Sequence, residues 1–117
     1  MPTAQKPSDL IGEPLNGICF VMDYVELSFN GPILRALTPV ELIDGGRRTV
    51  FPEPGSRDAL CGLIEAVLVD LQIEDEKAMT LRFDSGTIVR IPLAYEERAG
   101  PEAAHFVPGK GQPIQVW

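Results

Sequence analysis

Apolar and polar positions alternate in short runs cut by proline and glycine, the period-two pattern of half-buried strands. Ile18, Phe20 and Met22 fall on one face of a first segment and Cys19 and Val21 on the other. Both faces are apolar, which predicts a central strand, followed by a bend at Asp23-Tyr24. Val25, Leu27 and Phe29 then alternate with Glu26 and Ser28. Asn30-Gly31 tolerates positive φ and predicts a hairpin turn, with a return strand over 33–37 that Pro39 ends. Asp44-Gly45-Gly46 predicts a second hairpin closing at Phe51, before Pro52 and Pro54.

Residues 55–75 fit two templates. Leu60, Leu63, Ile64, Val67, Leu68 and Leu71 have helical spacing, while Val67, Val69, Leu71 and Ile73 alternate as in a strand. Ser56 is a candidate N-cap, with Asp58 near the positive helix end. β-branched residues thicken from Val67 onward and Gly62 weakens a long helix. The expectation is a short helix over about 57–65 and a strand over 67–73, with one helix to about residue 75 as the alternative. Beyond a charged turn at Glu74-Asp75-Glu76-Lys77, Met79, Leu81 and Phe83 alternate with Thr80 and Arg82. Asp84-Ser85-Gly86 turns the chain into a strand over 87–91 that Pro92 stops. Residues 94–104 read as a loop or one helical turn, and 105–107 and 114–117 as two last strands.

The chain repeats itself. "LSFNGPILRAL" at 27–37 returns as "LRFDSGTIVRIPL" at 81–93. Each copy is a hairpin with a Leu-x-Phe face, and each return strand carries an arginine, Arg35 or Arg90. Leu27, Phe29, Leu81 and Phe83 are therefore expected in the core. The predicted fold is α+β and mostly β: two related β-hairpin units, about 18–37 and 67–93, in an antiparallel sheet or small barrel with one short helix. Residues 1–14 carry three prolines and read as a mobile lead-in, leaving 15–117 as one β-rich domain.

The second unit, "LCGLIEAVLVDLQI" through "LRFDSGTIVRI" to "VPGKGQPIQVW", resembles a family of small uncharacterised bacterial single-domain proteins. These share a Leu-x-Phe-x-x-Gly hairpin and a C-terminal glycine-rich turn and strand. The resemblance covers residues 15–117 and implies the fold and no activity. Glu65 stands where that family tends to have glycine, and Lys110 displaces a glycine of the last turn.

Charge narrows the partners. The net charge is −7 over 117 residues, with −3 in residues 1–58 and −4 in 59–117. Without a basic face, nucleic acid is not an expected partner. No apolar run is long enough to span a bilayer, and the N-terminus lacks the pattern of a signal peptide. A soluble, cytoplasmic protein is expected. Cys19 and Cys61 lie in apolar surroundings and read as buried free thiols.

Catalytic signatures are sparse. His105, the only histidine, has no glycine-flanked nucleophile beside it in sequence and reads as a strand-edge residue. Glu74, Asp75 and Glu76 lack the alternation and glycine of a calcium loop. Gly45-Gly46 and Gly109-Lys110-Gly111 do not open helices as phosphate loops do. No cofactor or metal is expected. Tyr24, Tyr95 and Trp117 carry the aromatic surface that dominates many interfaces, and Arg47-Arg48 is a basic spot in an acidic protein. These five residues are the candidate partner contacts. The leading expectation is a non-catalytic binding module, of inhibitor or immunity type, for a basic protein. The alternatives are a small enzyme with a dispersed carboxylate pair and a structural homo-oligomer joined through strand edges, a homodimer included.

Overall fold

A computed structural model describes residues 6–109 and 111–117. The fold is α+β and mostly β: two five-stranded antiparallel sheets and one short helix. One sheet runs β1-β2-β3-β9-β10: β1 is Gly17–Val21, β2 Tyr24–Ser28, β3 Ile33–Ala36, β9 Ala104–Val107 and β10 Gln115–Val116. The other runs β5-β4-β8-β7-β6: β4 is Glu41–Asp44, β5 Arg47–Val50, β6 Leu68–Glu74, β7 Ala78–Phe83 and β8 Ile88–Pro92. The inner faces share one core, in which Leu27, Phe29, Leu34 and Phe106 meet Leu42, Leu71, Leu81, Phe83 and Val89.

The repeated sequence frame is the visible part of a duplication that spans the domain. Each half runs through three consecutive antiparallel strands and then sends its next hairpin to the other half's sheet. Hairpin β4–β5 pairs with β8, and hairpin β9–β10 pairs with β3. Registers match position for position: Glu41 faces Arg90 as His105 faces Arg35, and Leu42 faces Val89 as Phe106 faces Leu34. Phe51 N–H donates to the Val40 carbonyl at 2.9 Å, and Trp117 N–H to the Ala104 carbonyl, also at 2.9 Å. The two crossovers run side by side, where the buried Thr38 hydroxyl donates to the Pro92 carbonyl at 2.6 Å.

The pseudo-two-fold passes between Pro14 and Val67, which form an isolated bridge. Gly12 N–H donates to the Leu68 carbonyl at 2.7 Å, and its counterpart, Glu65 N–H, to the Leu15 carbonyl at 2.7 Å. Leu68 N–H reaches the Glu13 carbonyl at 3.0 Å as Leu15 N–H reaches that of Ala66 at 2.9 Å. The "LIGEPL" of 10–15 is thus the equivalent of the "LIEAVL" of 63–68.

This pairing corrects the expected lead-in. Within its described part, Pro7–Leu10 forms a 3-10 turn packed on β6 and Leu10 is a core residue, as is Leu15 just after it. Their apolar burial and the four backbone bonds hold the segment down, whatever its proline content. Residues 1–5 lie outside the described residues.

The short helix is also confirmed, and shorter than expected. α1 is Ser56–Cys61, and β6 follows, so the single long helix is not formed. Gly55, at φ 85°, caps α1 instead of Ser56, whose hydroxyl is buried without a hydrogen-bond partner. α1 lies over the seam between β1 and the β4–β5 hairpin. There Phe20 and Phe51 stack at 5.6 Å, and the Arg57 guanidinium sits over both rings, 5.8 and 5.0 Å from their centroids.

β1, expected to be central, is an edge strand. Only its inner face, Ile18 and Phe20, packs on the core, so Cys19 is exposed. Cys61, at the end of α1, is exposed too. The turn falls at Met22-Asp23, one residue early, and Met22 stands almost fully in water with φ 51°. His105, expected at a sheet edge, lies on β9 between β3 and β10.

The symmetry makes a stability prediction. Gly12 has φ 96° and Glu65 has φ 84°. A left-handed conformation costs a residue with a Cβ about 1–2 kcal/mol, and glycine's extra freedom when unfolded returns about 0.5–1 kcal/mol of that. Glu65→Gly is therefore expected to stabilise the fold by about 0.5–1 kcal/mol, measured by denaturant unfolding. Gly12→Ala, where an added Cβ meets nothing within 4 Å, carries only the conformational penalty. An unchanged or lowered midpoint for Glu65→Gly would refute the strain.

Candidate partner-binding surface

The crossover after β8 positions the surface. Pro92 ends the strand, Leu93 is buried, and Leu93 N–H donates to the Lys77 carbonyl at 2.9 Å. That bond sets residues 93–103 beside the β6–β7 turn, far away in sequence. The Arg98 guanidinium then staples the crossover from inside. Its Nε and Nη2 donate to the Leu93 carbonyl at 3.2 and 2.9 Å, and Nη1 to that of Pro101 at 3.0 Å.

Tyr95 projects from the 3-10 turn Tyr95–Glu97 and is 78% exposed. Glu76, Glu96 and Arg98 complete a cleft of about 300 Å³ around it. Asp75 and Glu97 are exposed in the same two turns, and Glu74, at the end of β6, pairs with Lys77 at 3.6 Å. Glu76 has φ 64°, a conformation that L-residues keep only where their surroundings enforce it. With its ring unburied and its loop fixed by Arg98, Tyr95 is offered to solvent amid carboxylates.

Tyr24 lines a second cleft of about 300 Å³ on the other flank of this crossover, with Asp23, Leu37, Ala99, Gly100, Pro101 and Glu102. Glu102 links that cleft to a polar row on the outer face of the first sheet. Cross-strand register places Cys19, Glu26, Arg35, His105 and Val116 in line. Arg35 Nε donates to Glu26 at 2.8 Å and its Nη1 to His105 Nδ1 at 3.0 Å. Arginine only donates, so Nδ1 accepts, and the imidazole proton on Nε2 goes to Glu102 at 2.6 Å. Both ring nitrogens are committed, and two strands, β2 and β3, separate the imidazole from the Cys19 thiol. The row is a structural clamp and not a nucleophile–base pair.

Arg47 and Arg48 lie elsewhere, in a cleft of about 420 Å³ between the β4–β5 hairpin and α1. Arg48 donates to Glu41 at 2.9 Å, and the other Glu41 oxygen takes Arg90 at 2.6 Å. The repeat's two arginines thus have the same use, each held across strands by a carboxylate. Trp117 packs half-buried against the core at the end of β10. The five sequence candidates therefore divide: Tyr24 and Tyr95 flank one crossover, Arg47 and Arg48 share a separate cleft, and Trp117 closes a hairpin. Arg98 and Glu102 escape the sequence reading, and Glu76 enters it only as a candidate calcium ligand, because only tertiary pairing brings them to the tyrosines.

No group of three or more His, Cys, Asp or Glu side chains is placed to hold a metal ion among the described residues. No helix among them is long and apolar enough to cross a membrane. Comparison with protein-family models, curated proteins and solved structures finds no match for this chain.

Proposed function

We propose that the protein is a non-catalytic cytoplasmic binding module, of inhibitor or immunity type, that engages a basic protein partner through the Tyr95 surface. The observation that carries this reading is the exposed Tyr95 ring on a loop stapled by Arg98, beside Glu76 and Glu96. A Lys or Arg side chain over a tyrosine face gains about 0.5–2 kcal/mol, and rim carboxylates steer a cation toward it. The net charge of −7 acts in the same direction at long range.

The enzyme reading has less support. Three clefts each hold a pair of carboxylates, Asp23 with Glu102, Glu76 with Glu96, and Asp44 with Glu53. A general acid of this kind needs a carboxyl withdrawn from water. Asp23, Glu76, Glu96, Asp44 and Glu53 are exposed, and Glu102 is bound to His105.

The test uses immobilised protein and arginine- or lysine-rich peptides, with glutamate-rich peptides as controls. Basic peptides are expected to bind, more weakly as salt rises, and Tyr95→Ala is expected to lower affinity about tenfold, the equivalent of about 1.4 kcal/mol. Equal retention of both peptide classes, or wild-type affinity in Tyr95→Ala, would overturn the proposal.

A further inference from the structure

Two sheets leave four edge strands, and three of them carry devices that hinder a further strand. β6 has a bulge between Leu68 and Asp70, carries Asp70 and Glu74, and is packed by the 3-10 turn. On β5, Glu53 occupies the outward Val50 N–H at 3.2 Å, and Arg47 and Arg48 add charge. β10 is two residues long and follows Pro113. β1 is packed by α1, with Arg57 over its Phe20 ring, but among the described residues it has no bulge, no charged side chain and no side chain occupying its outward groups. It is five residues, Gly-Ile-Cys-Phe-Val, with no charge and no proline.

The open groups on β1 follow from its hairpin. The Met22-Asp23 turn has two residues, so Val21 and Tyr24 form the closing hydrogen-bonded pair. Alternation then assigns Cys19–Glu26 and Gly17–Ser28 to hydrogen-bonded positions. Ile18 and Phe20 consequently direct their N–H and C=O groups away from β2, off the edge of the sheet. The side chains complement that polarity: Ile18 and Phe20 point into the core, while Cys19 lies on the outer face and is exposed.

We propose that β1 pairs antiparallel with β1 of a second copy of this chain, about a two-fold centred on Cys19. In that register, Ile18 of one copy and Phe20 of the other exchange both backbone hydrogen bonds, twice by symmetry. All four outward groups on each strand are satisfied, and the two five-stranded sheets join into one of ten. A second copy suits this edge better than a charged partner strand. β1 is neutral in a protein of net charge −7, and the first carboxylate inward from Cys19, Glu26, is already paired with Arg35 at 2.8 Å. The register also sets the two Cys19 residues opposite each other at a non-hydrogen-bonded position. Cα atoms there lie about 4.5 Å apart, within the range that a disulfide spans.

The test combines association with crosslinking. Sedimentation of the wild type is expected to show a concentration-dependent dimer. Cys19→Lys, which sets two cations face to face on an exposed position, is expected to be monomeric with an unchanged circular-dichroism spectrum. In Cys61→Ser, only Cys19 remains, and diamide is expected to yield a disulfide-linked dimer. Two thiols lose two protons and two electrons, and the diamide takes up both. The internal control is Gln72, the Cys19 counterpart on the protected edge β6, exposed in the same way. Gln72→Cys in a chain lacking both native cysteines is expected to crosslink no faster than the unfolded chain. A wild type that stays monomeric at every concentration, a Cys19→Lys variant that still dimerises, or equal crosslinking at Cys19 and at the Gln72→Cys position would overturn the proposal.

Discussion

Phe83→Ala and Phe29→Ala are each expected to destabilise the protein by about 3–5 kcal/mol, the usual range for truncating a buried phenylalanine. Phe29 is 1% exposed and Phe83 2%. They hold equivalent places in the two halves, each two residues after the core leucine, Leu27 or Leu81: Phe29 just past the end of β2 and Phe83 at the end of β7. Because the halves exchange hairpins, each ring packs in a core drawn from both, and local unfolding of one half cannot relieve the cavity. A domain's whole stability is about 5–15 kcal/mol, so either change alone removes a large share. The prediction is checked by chemical denaturation of each variant. An unchanged midpoint for either would show that its ring does not fill the shared core.

What the sequence disclosed and withheld divides by range. Alternation located Leu27, Phe29, Leu81 and Phe83, because a period of two fixes the face of a strand without knowledge of its neighbours. The thickening of β-branched residues at Val67 chose strand over helix, and β6 is there. Whether both faces of β1 are covered is a different question, since periodicity reports that residues are apolar but not what lies across the strand's edge. Cys19 was read as buried on residue type, and topology set it on an outer face. The duplication was seen over a dozen positions and extends over the domain. The two crossovers hid the rest: residues 37–40 and 93–103 are equivalent but differ in length, which throws the second hairpins out of frame. "LIGEPL" against "LIEAVL" would have extended the match to the N-terminal segment. The Tyr95 surface had no local signal, because the Leu93–Lys77 backbone bond and the Arg98 staple create it.

Truncation after Pro113 is expected to cost the fold about 3 kcal/mol or more, enough to leave the protein marginal or insoluble. The segment removed contains β10 and Trp117. Trp117 is the counterpart of Phe51, which is fully buried at the end of β5 and stacks on Phe20. Trp117 N–H donates to the Ala104 carbonyl at 2.9 Å, and its own carbonyl accepts from Ala103 at 2.6 Å and from Ala104 at 3.3 Å. Each such bond contributes about 0.5–1.5 kcal/mol net, and half-burying an indole adds about 25 cal/mol per Å² of apolar area. Truncation also turns β9 into an edge and uncovers Ala103, Ala104 and Phe106, all now fully buried. Trp117→Ala separates the two contributions, since it removes the ring and keeps the ladder, and its loss should be the smaller. Thermal unfolding of the truncated chain decides the matter. If it keeps the parent's cooperative midpoint, β10 is dispensable to the core, and the Val116–Trp117 end is left as a docking segment instead of the closing strand of the second hairpin.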